Sequence, residues 1–317
     1  MTDTQNEVFK TPVNRIRLFE HGAPGSQNLK LTRKYYTEDM PDGRVKHIVQ
    51  NITDPDIVPY IPDGIGNSTD RQRIPAVLII PGGAFRRLVY NFEGEDVAKW
   101  LNSMEIAAFV LECRLPSDEH DNAEDVPLID AMRAMRVIRG RAQEFGIDEA
   151  KIGVMGFSAG GFMAALLSTA YESDVYADYK YKDEYDKLSA RPDFAVCSYP
   201  VISIDDCIEA GKRYMSEEQV LERISDGKAK ILHKYNPDKL VRPDMPPVFI
   251  CETDDDRTTL SENSVGFYMA ARKAGVSAEL HIFRTGGHGY GCGDDFAQTG
   301  EWKVLFTKWI KSIGIIS

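Results

Sequence analysis

Residues 152–161 read Ile-Gly-Val-Met-Gly-Phe-Ser-Ala-Gly-Gly, an apolar strand followed by a Gly-x-Ser-x-Gly turn and the start of a helix. Gly156 and Gly160 flank the turn, where side chains would collide as the chain reverses direction. Such a turn holds Ser158 at its tip, which a serine hydroxyl needs if it is to act as a nucleophile beside a base. The alternative is an ordinary glycine-rich turn. Residues 157–170 contain no charged side chain, however, which indicates a helix buried at the centre of a domain.

The same alternation of short apolar strands and helices runs through most of the chain. It predicts an α/β fold with a mostly parallel central sheet of about eight strands and helices on both faces. Alternating apolar positions over 44–62 predict antiparallel edge strands ahead of that sheet. The later predicted strands are 76–80, 106–111, 151–157, 194–199, 247–251 and 278–283, and the predicted helices are 93–103, 127–145, 261–274 and 300–313.

We interpret residues 1–317 as a single domain with additions to its core. Residues 1–30 are polar and turn-rich, and we expect them to wrap the surface as an N-terminal extension. Residues 171–190 and 204–243 interrupt the alternation of strands and helices. We expect these two insertions to form a small partial cap over the site, with surface decoration as the alternative interpretation.

Composition and charge are typical of a soluble globular protein, with 43% hydrophobic and 27% charged residues. A net charge of −11 argues against nucleic acid or an anionic membrane surface as a partner. The first residues lack the features of a signal peptide, and no apolar run approaches the ~20 residues that span a bilayer. We therefore expect a cytoplasmic protein. Its five cysteines form no Cys-x-x-Cys pair and are expected to be free thiols.

A serine nucleophile needs a base, and His288 is the strongest candidate among the six histidines. It lies in Thr-Gly-Gly-His-Gly-Tyr-Gly (285–291), a loop between a predicted strand and the last predicted helix. Glycines on both sides let the backbone place an imidazole over a cleft, and loops of this kind carry function more often than packing. The alternative is a histidine in an ordinary surface loop.

The base in turn needs an orienting acid, and Thr-Asp-Asp-Asp (253–256) directly follows the predicted strand 247–251. One of the three carboxylates is expected to be that acid. The chain order Ser158, Asp255, His288 is that of α/β hydrolases. A solvated acidic turn is the main alternative, and a cation site is disfavoured because the spacing lacks the glycine and glutamate of an EF-hand loop.

The segment Ile-Pro-Gly-Gly-Ala-Phe (80–85) follows the first predicted parallel strand and is a candidate oxyanion hole. We expect the backbone N–H groups of Gly83 and Ala84 to join that of Ala159 in binding the oxyanion. Each such donor contributes about 3 kcal/mol to stabilisation of a transition state. The alternative is a simple glycine turn after a strand.

With these motifs in place, the chain resembles the α/β-hydrolase superfamily, and within it the bacterial acetyl-xylan esterase and feruloyl/acetyl esterase-like (BD-FAE-like) branch. The N-terminal Gly-Ala-Pro-Gly and the Glu-Gly-Glu-Asp segment are the more specific features of this branch. The matching stretches are 16–25, 81–85, 93–101, 113–116, 152–161, 261–264 and 286–289.

The resemblance implies Ser158 as nucleophile, His288 as base and Asp255 as acid, with Asp256 as the runner-up for the acid. Two departures from the branch affect this assignment. Ala84 replaces a common third glycine, which would tighten the acyl side of the pocket. The pair Thr258-Thr259 replaces the usual valine pair after the acid.

Together these features predict a serine carboxylic-ester hydrolase that uses no metal or organic cofactor. Its expected substrate is a small molecule carrying a short acyl ester, and the resemblance extends this to acetyl groups on sugars or xylo-oligosaccharides. One alternative is a serine peptidase of the prolyl-oligopeptidase kind, although the chain has no room for a propeller. The other is a non-catalytic ligand-binding protein on the same fold. A homo-oligomer is compatible with the sequence but is not predicted by it.

Overall fold

Eight strands form the central sheet of the computed structural model, which describes residues 9, 13–65, 73–213, 216, 218–219, 228–293 and 298–317. The sheet has the order β1-β4-β7-β5-β8-β9-β10-β11, and its six strands from β7 to β11 are mutually parallel. The strands of the chain are β1 (Ile16–Arg17), β2 (Lys34–Asp39), β3 (Val45–Gln50), β4 (Asp56–Tyr60), β5 (Ile74–Ile80), β6 (Leu88–Val89), β7 (Ala107–Glu112), β8 (Ile147–Phe157), β9 (Ala195–Ser198), β10 (Val248–Thr253) and β11 (Ala278–Phe283). The predicted α/β fold with a mostly parallel sheet of eight strands is confirmed.

Helices connect the parallel strands and bury the sheet. All seven residues of β5 are buried, as are Ala159–Thr169, because strand and helix lie in the middle of the molecule with apolar neighbours on every side. The described helices are α1 (Asp96–Asn102), α2 (Val126–Gly140), α3 (Ala142–Phe145), α4 (Ala159–Ala170), α5 (Ile204–Lys212), α6 (Lys228–Lys234), α7 (Ser261–Lys273) and α8 (Trp302–Ser312).

The strands expected over 44–62 belong to two different sheets. β4 joins the central sheet antiparallel to β7, whereas β3 pairs with β2 and β6 in a separate three-stranded antiparallel sheet. The strand predicted over 247–251 continues to Thr253, so the turn that follows it begins two residues later than expected. The helix predicted from residue 93 begins with a π-helical turn, Asn91–Glu95.

Part of the N-terminal segment lies in the core, whereas residues 1–30 were expected to wrap the surface. Leu18 and Phe19 are buried. The Arg114 guanidinium donates to Ser26 Oγ at 2.7 Å and forms a fully buried ion pair with Asp130 at 2.6 Å. Arg114 thereby ties the N-terminal segment to the loop after β7 and to α2.

The two insertions contact α2 and the residue directly before it. In residues 171–190, Asp186 pairs with Arg133 of α2 at 3.1 Å. In the second insertion, Lys234 of α6 pairs with Asp125 at 2.7 Å, while residues 214–215, 217 and 220–227 lie outside the described part of the chain. Neither of these two ion pairs involves Ser158 or His288, and a cap over the site stays a prediction.

Half-buried Asp118 and buried His120, in the loop after β7, have opposite effects on the pH dependence of stability. Asp118 Oδ2 and His120 Nε2 lie 3.9 Å apart, and neither atom has a hydrogen-bond partner among the described residues. Burial raises the pKa of Asp118 to about 6. The contribution of Asp118 to the free energy of unfolding is therefore complete below about pH 4 and is lost as pH rises to 6. Burial and the charge of Arg114 lower the pKa of His120 to about 4, so its contribution is complete above pH 6.5 and is lost as pH falls to 4.

We expect single substitutions to reveal these two opposite pH dependences. Each residue should change the free energy of unfolding by up to about 3 kcal/mol over this pH range. Between pH 4 and 6.5 the Tm of Asp118→Asn should rise relative to wild type, whereas the Tm of His120→Gln should fall. Thermal unfolding across this range is the measurement. Differences from wild type that do not change with pH in either variant would contradict the prediction.

Candidate active site

The turn between β8 and α4 holds Ser158 in a conformation that few non-glycine residues adopt. Its φ is 54° and its ψ is −117°, and the Ser158 N–H donates to Ser198 O at 3.0 Å. A Cβ on Gly156 would lie 1.9 Å from Gly160 O, and a Cβ on Gly160 would lie 1.9 Å from Ile80 O. Glycine is therefore required at both positions, and the strain at the serine is of the kind found at functional turns.

Ser158, His288 and Asp256 form a continuous hydrogen-bonded chain. Ser158 Oγ lies 2.8 Å from His288 Nε2, and His288 Nδ1 lies 2.6 Å from Asp256 Oδ2. The three residues follow β8, β11 and β10, whose carboxyl ends meet at one edge of the parallel sheet. A nucleophile beside a base, with the base oriented by a buried carboxylate, is the arrangement that acyl transfer requires.

Asp255, the acid favoured from the sequence, forms no hydrogen bond with His288 among the described residues. It instead accepts hydrogen bonds from the backbone of the loop that carries His288. Its Oδ1 accepts the backbone N–H groups of Gly286 at 3.0 Å and Gly287 at 2.8 Å. Because β10 continues to Thr253, Asp255 remains exposed and the next residue, Asp256, is the first to turn inward. The carboxylate at the histidine is therefore that of Asp256, and Asp255 contributes through the backbone of the histidine loop.

Asp256 remains ionised because the hydrogen bonds it accepts outweigh its burial. Burial alone would raise its pKa, but His288 and the backbone N–H groups of Thr258 and Thr259 hold the pKa below its usual value. The Thr259 hydroxyl donates to Asp256 Oδ2 at 3.0 Å. The threonine pair that departs from the family pattern thus supplies donors to the acid. An Asp followed two and three residues later by Thr is a local signal of such a turn.

The loop after β5 presents unpaired N–H groups beside the serine turn. The N–H groups of Gly83, Ala84 and Ala159 have no hydrogen-bond acceptor within the described residues. The Gly82 N–H is not available, because it donates to Glu93 Oε2 at 2.8 Å. Ala84 and Phe85 both have positive φ values, 58° and 60°, which holds this loop in a strained turn.

Sequence reasoning assigned no role to two buried residues near this site, Glu93 and Tyr199. The Tyr199 hydroxyl donates to Glu93 Oε1 at 2.9 Å, and its ring centroid lies 5.0 Å from that of His288. The sequence signal for Glu93 was its place at the start of the Glu-Gly-Glu-Asp segment, one of the features on which the family resemblance rests.

The described residues contain no group of three or more His, Cys, Asp or Glu side chains that could hold a metal ion. Over the same ranges, no helix combines the length and the apolar character needed to cross a bilayer.

The BD-FAE family model matches residues 65–270, about two thirds of the chain. The chain belongs to the BD-FAE family. A crystal structure of an acetyl ester-xyloside bifunctional hydrolase from Caldicellulosiruptor lactoaceticus is 34% identical. It aligns with 96% of this chain and 98% of that one, with a TM-score of 0.71. This BD-FAE member and that hydrolase therefore share their architecture over nearly their whole lengths.

The BD-FAE member is also similar to a curated acetylxylan esterase and, in fold, to a solved carboxylesterase. An acetylxylan esterase of Xylanibacter ruminicola is 30% identical over 240 residues, which are 75% of this chain but only 45% of that protein. This chain therefore spans less than half of that relative. The carboxylesterase Cest-2923 of Lactobacillus plantarum aligns with 90% of this chain at a TM-score of 0.67. At 19% identity, it supports the α/β-hydrolase fold alone.

Proposed function

We propose that this protein is a serine esterase that hydrolyses short acyl esters through Ser158, His288 and Asp256. The hydrogen-bonded chain from Ser158 Oγ through the imidazole to a buried carboxylate carries this proposal. Membership of the BD-FAE family and the esterase relatives support it. We also propose that the described residues form one α/β-hydrolase domain.

In the proposed reaction Ser158 Oγ attacks the ester carbonyl while His288 Nε2 accepts the hydroxyl proton. The carbonyl π electrons move to oxygen, and the N–H groups of Gly83, Ala84 and Ala159 bind that oxyanion. When the intermediate collapses, the C–O bond to the alcohol breaks and His288 returns the proton to the leaving oxygen. Water then attacks the acyl-enzyme by the same steps and releases the carboxylic acid.

The acyl group is proposed to enter a small apolar cavity between the oxyanion loop and the first turn of α4. The space inside it is about 20 Å³, which holds roughly one water molecule. Phe85, Leu115 and Met163 are among its lining residues, next to Ala159. The Phe85 ring packs edge-on against Phe162 at 5.5 Å, which fixes one wall. A small apolar cavity next to Ala159 favours a short chain such as acetyl, the group in the names of the acetylxylan esterase and acetyl ester-xyloside hydrolase relatives.

We expect kcat/KM to fall from p-nitrophenyl acetate to butyrate to octanoate, because each added methylene must enter a cavity of limited length. Steady-state hydrolysis of the three esters is the measurement, followed by release of acetate from acetylated xylo-oligosaccharides. No turnover of any of the three esters would refute the esterase proposal. Cleavage of a prolyl amide without ester turnover would favour a peptidase.

The Met163→Ala variant tests where the acyl group binds. Removing this side chain should lengthen the cavity, so the ratio of kcat/KM for butyrate to that for acetate should rise about tenfold, roughly the discrimination that one or two methylenes provide. Met269→Ala is the control, because Met269 is 59% exposed on α7. An unchanged ratio in Met163→Ala would place the acyl group outside this cavity.

A further inference from the structure

Glu93 is a buried carboxylate that holds the oxyanion loop from beneath. It lies in the π-helical turn Asn91–Glu95 and is 5% exposed. Its Oε2 accepts the Gly82 N–H at 2.8 Å. Gly82 directly precedes the proposed oxyanion donors Gly83 and Ala84. A Cβ on Gly82 would lie 2.8 Å from the same carboxylate oxygen, so backbone and carboxylate are in close contact.

The other oxygen of Glu93 is connected to the histidine loop through Tyr199. The Tyr199 hydroxyl donates to Glu93 Oε1 at 2.9 Å and accepts the Gly291 N–H at 3.1 Å. The Thr259 hydroxyl lies 3.2 Å from the backbone carbonyl oxygen of Tyr199 and 3.0 Å from Asp256 Oδ2, so its single proton is shared between that carbonyl and the proposed acid. One carboxylate and one phenol therefore join the loop of the oxyanion donors to the loop of His288.

This arrangement is unfavourable for stability taken alone. Burial raises the pKa of Glu93, although the hydrogen bond from Tyr199 opposes that shift, and the described residues offer it no salt bridge. Tyr199 has a φ of 37°, an uncommon conformation for a non-glycine residue. Buried carboxyl groups without a salt bridge and strained backbone persist where the surroundings require them, and both concentrate at functional sites.

We propose that Glu93 and Tyr199 act as a strut that positions the two catalytic loops relative to each other. This inference rests on the proposed esterase function, because it assigns roles to the same loops. The two carboxyl oxygens of Glu93 each accept one hydrogen bond, from Gly82 and from Tyr199, so the distance between the oxyanion donors and the imidazole is set by a rigid bridge. Both are positioning residues, because they act through Gly82 and Gly291.

The Glu93→Gln and Tyr199→Phe variants break the strut with little change in volume. An amide has one acceptor oxygen, so in Glu93→Gln either Gly82 or Tyr199 faces an NH₂ group. Tyr199→Phe removes the hydroxyl and leaves Glu93 Oε1 and the Gly291 N–H without that partner. Both variants should lower kcat for p-nitrophenyl acetate about 10- to 100-fold, less than the 10²–10³-fold loss of an oxyanion donor itself.

The matched controls are Glu112→Gln and Tyr35→Phe. Glu112 is also buried and accepts a tyrosine hydroxyl, that of Tyr35, at 3.0 Å, but its other partners are the guanidinium groups of Arg15 and Arg33. The Glu93→Gln and Tyr199→Phe variants should change KM less than threefold. The control variants should keep kcat and KM within threefold of wild type, although their Tm should be lower. The double variant Glu93→Gln/Tyr199→Phe should be no slower than the worse single variant, because both disrupt one bridge.

Hydrogen exchange tests the strut without relying on catalysis. Tyr199→Phe should increase amide exchange in residues 81–87, where the Gly82 N–H is connected to Tyr199 through Glu93, and in residues 286–293. The control variants should leave both segments protected as in wild type. Unchanged exchange at 81–87, or kcat values within threefold of wild type, would overturn the strut. Failure of wild type to hydrolyse any ester would instead refute the esterase function, with the exchange result still deciding the strut.

Discussion

The Ser158→Ala variant is expected to lower kcat for p-nitrophenyl acetate by about 10⁴-fold or more. Removing Oγ deletes the atom that bonds to the acyl group, and residual rate would come only from the oxyanion donors and from binding. Ser168→Ala is the matched control, because this buried serine lies on the helix that follows Ser158 and its hydroxyl donates within that helix, to Ala164 O at 2.7 Å. The control should retain kcat within about threefold.

The His288→Ala variant and the Ser158→Ala/His288→Ala double variant complete this test. Ser158 and His288 act in the same step, so removing either one already removes the contribution of both. The kcat of the double variant should therefore lie within about threefold of that of the slower single variant. Steady-state rates on enzyme with an unchanged circular dichroism spectrum provide the comparison. Ser158→Ala retaining more than a tenth of the wild-type kcat would exclude Ser158 as the nucleophile.

Asp256→Asn is expected to lower kcat by about 10³- to 10⁴-fold. The carboxylate accepts the Nδ1 proton of His288 and so leaves Nε2 free to take the proton from Ser158. An amide at this position presents an NH₂ group to the imidazole in one of its two orientations and cannot stabilise the imidazolium by charge. Because the pKa of Asp256 is held below its usual value, its charge contributes stability above about pH 4 that is lost as pH falls through that lower pKa.

Asp255→Asn separates the two neighbouring carboxylates. This exposed side chain braces the N–H groups of Gly286 and Gly287, and an asparagine oxygen still accepts both hydrogen bonds. We expect its kcat to fall less than tenfold. A loss in Asp255→Asn equal to or larger than that in Asp256→Asn would return the acid role to Asp255.

The sequence was sufficient to predict the fold and the elements that carry the candidate site. Alternating apolar strands and helices determined a parallel sheet, because each strand buried on both faces needs a helix to return the chain. The turn at Ser158 was recognisable because glycine is required at Gly156 and Gly160, where backbone atoms approach too closely for a side chain. These are local constraints, and local constraints leave a pattern in neighbouring residues.

The tertiary structure decided which groups on those elements meet. Asp255 and Asp256 are adjacent and chemically identical, and the end of β10 at Thr253 turns one outward and the other toward His288. β3 and β4 looked alike in sequence but entered different sheets. Glu93 and Tyr199 are 106 residues apart, and their contact depends on packing across the whole domain. Such choices depend on where distant backbone segments end relative to one another, which no short window of sequence specifies.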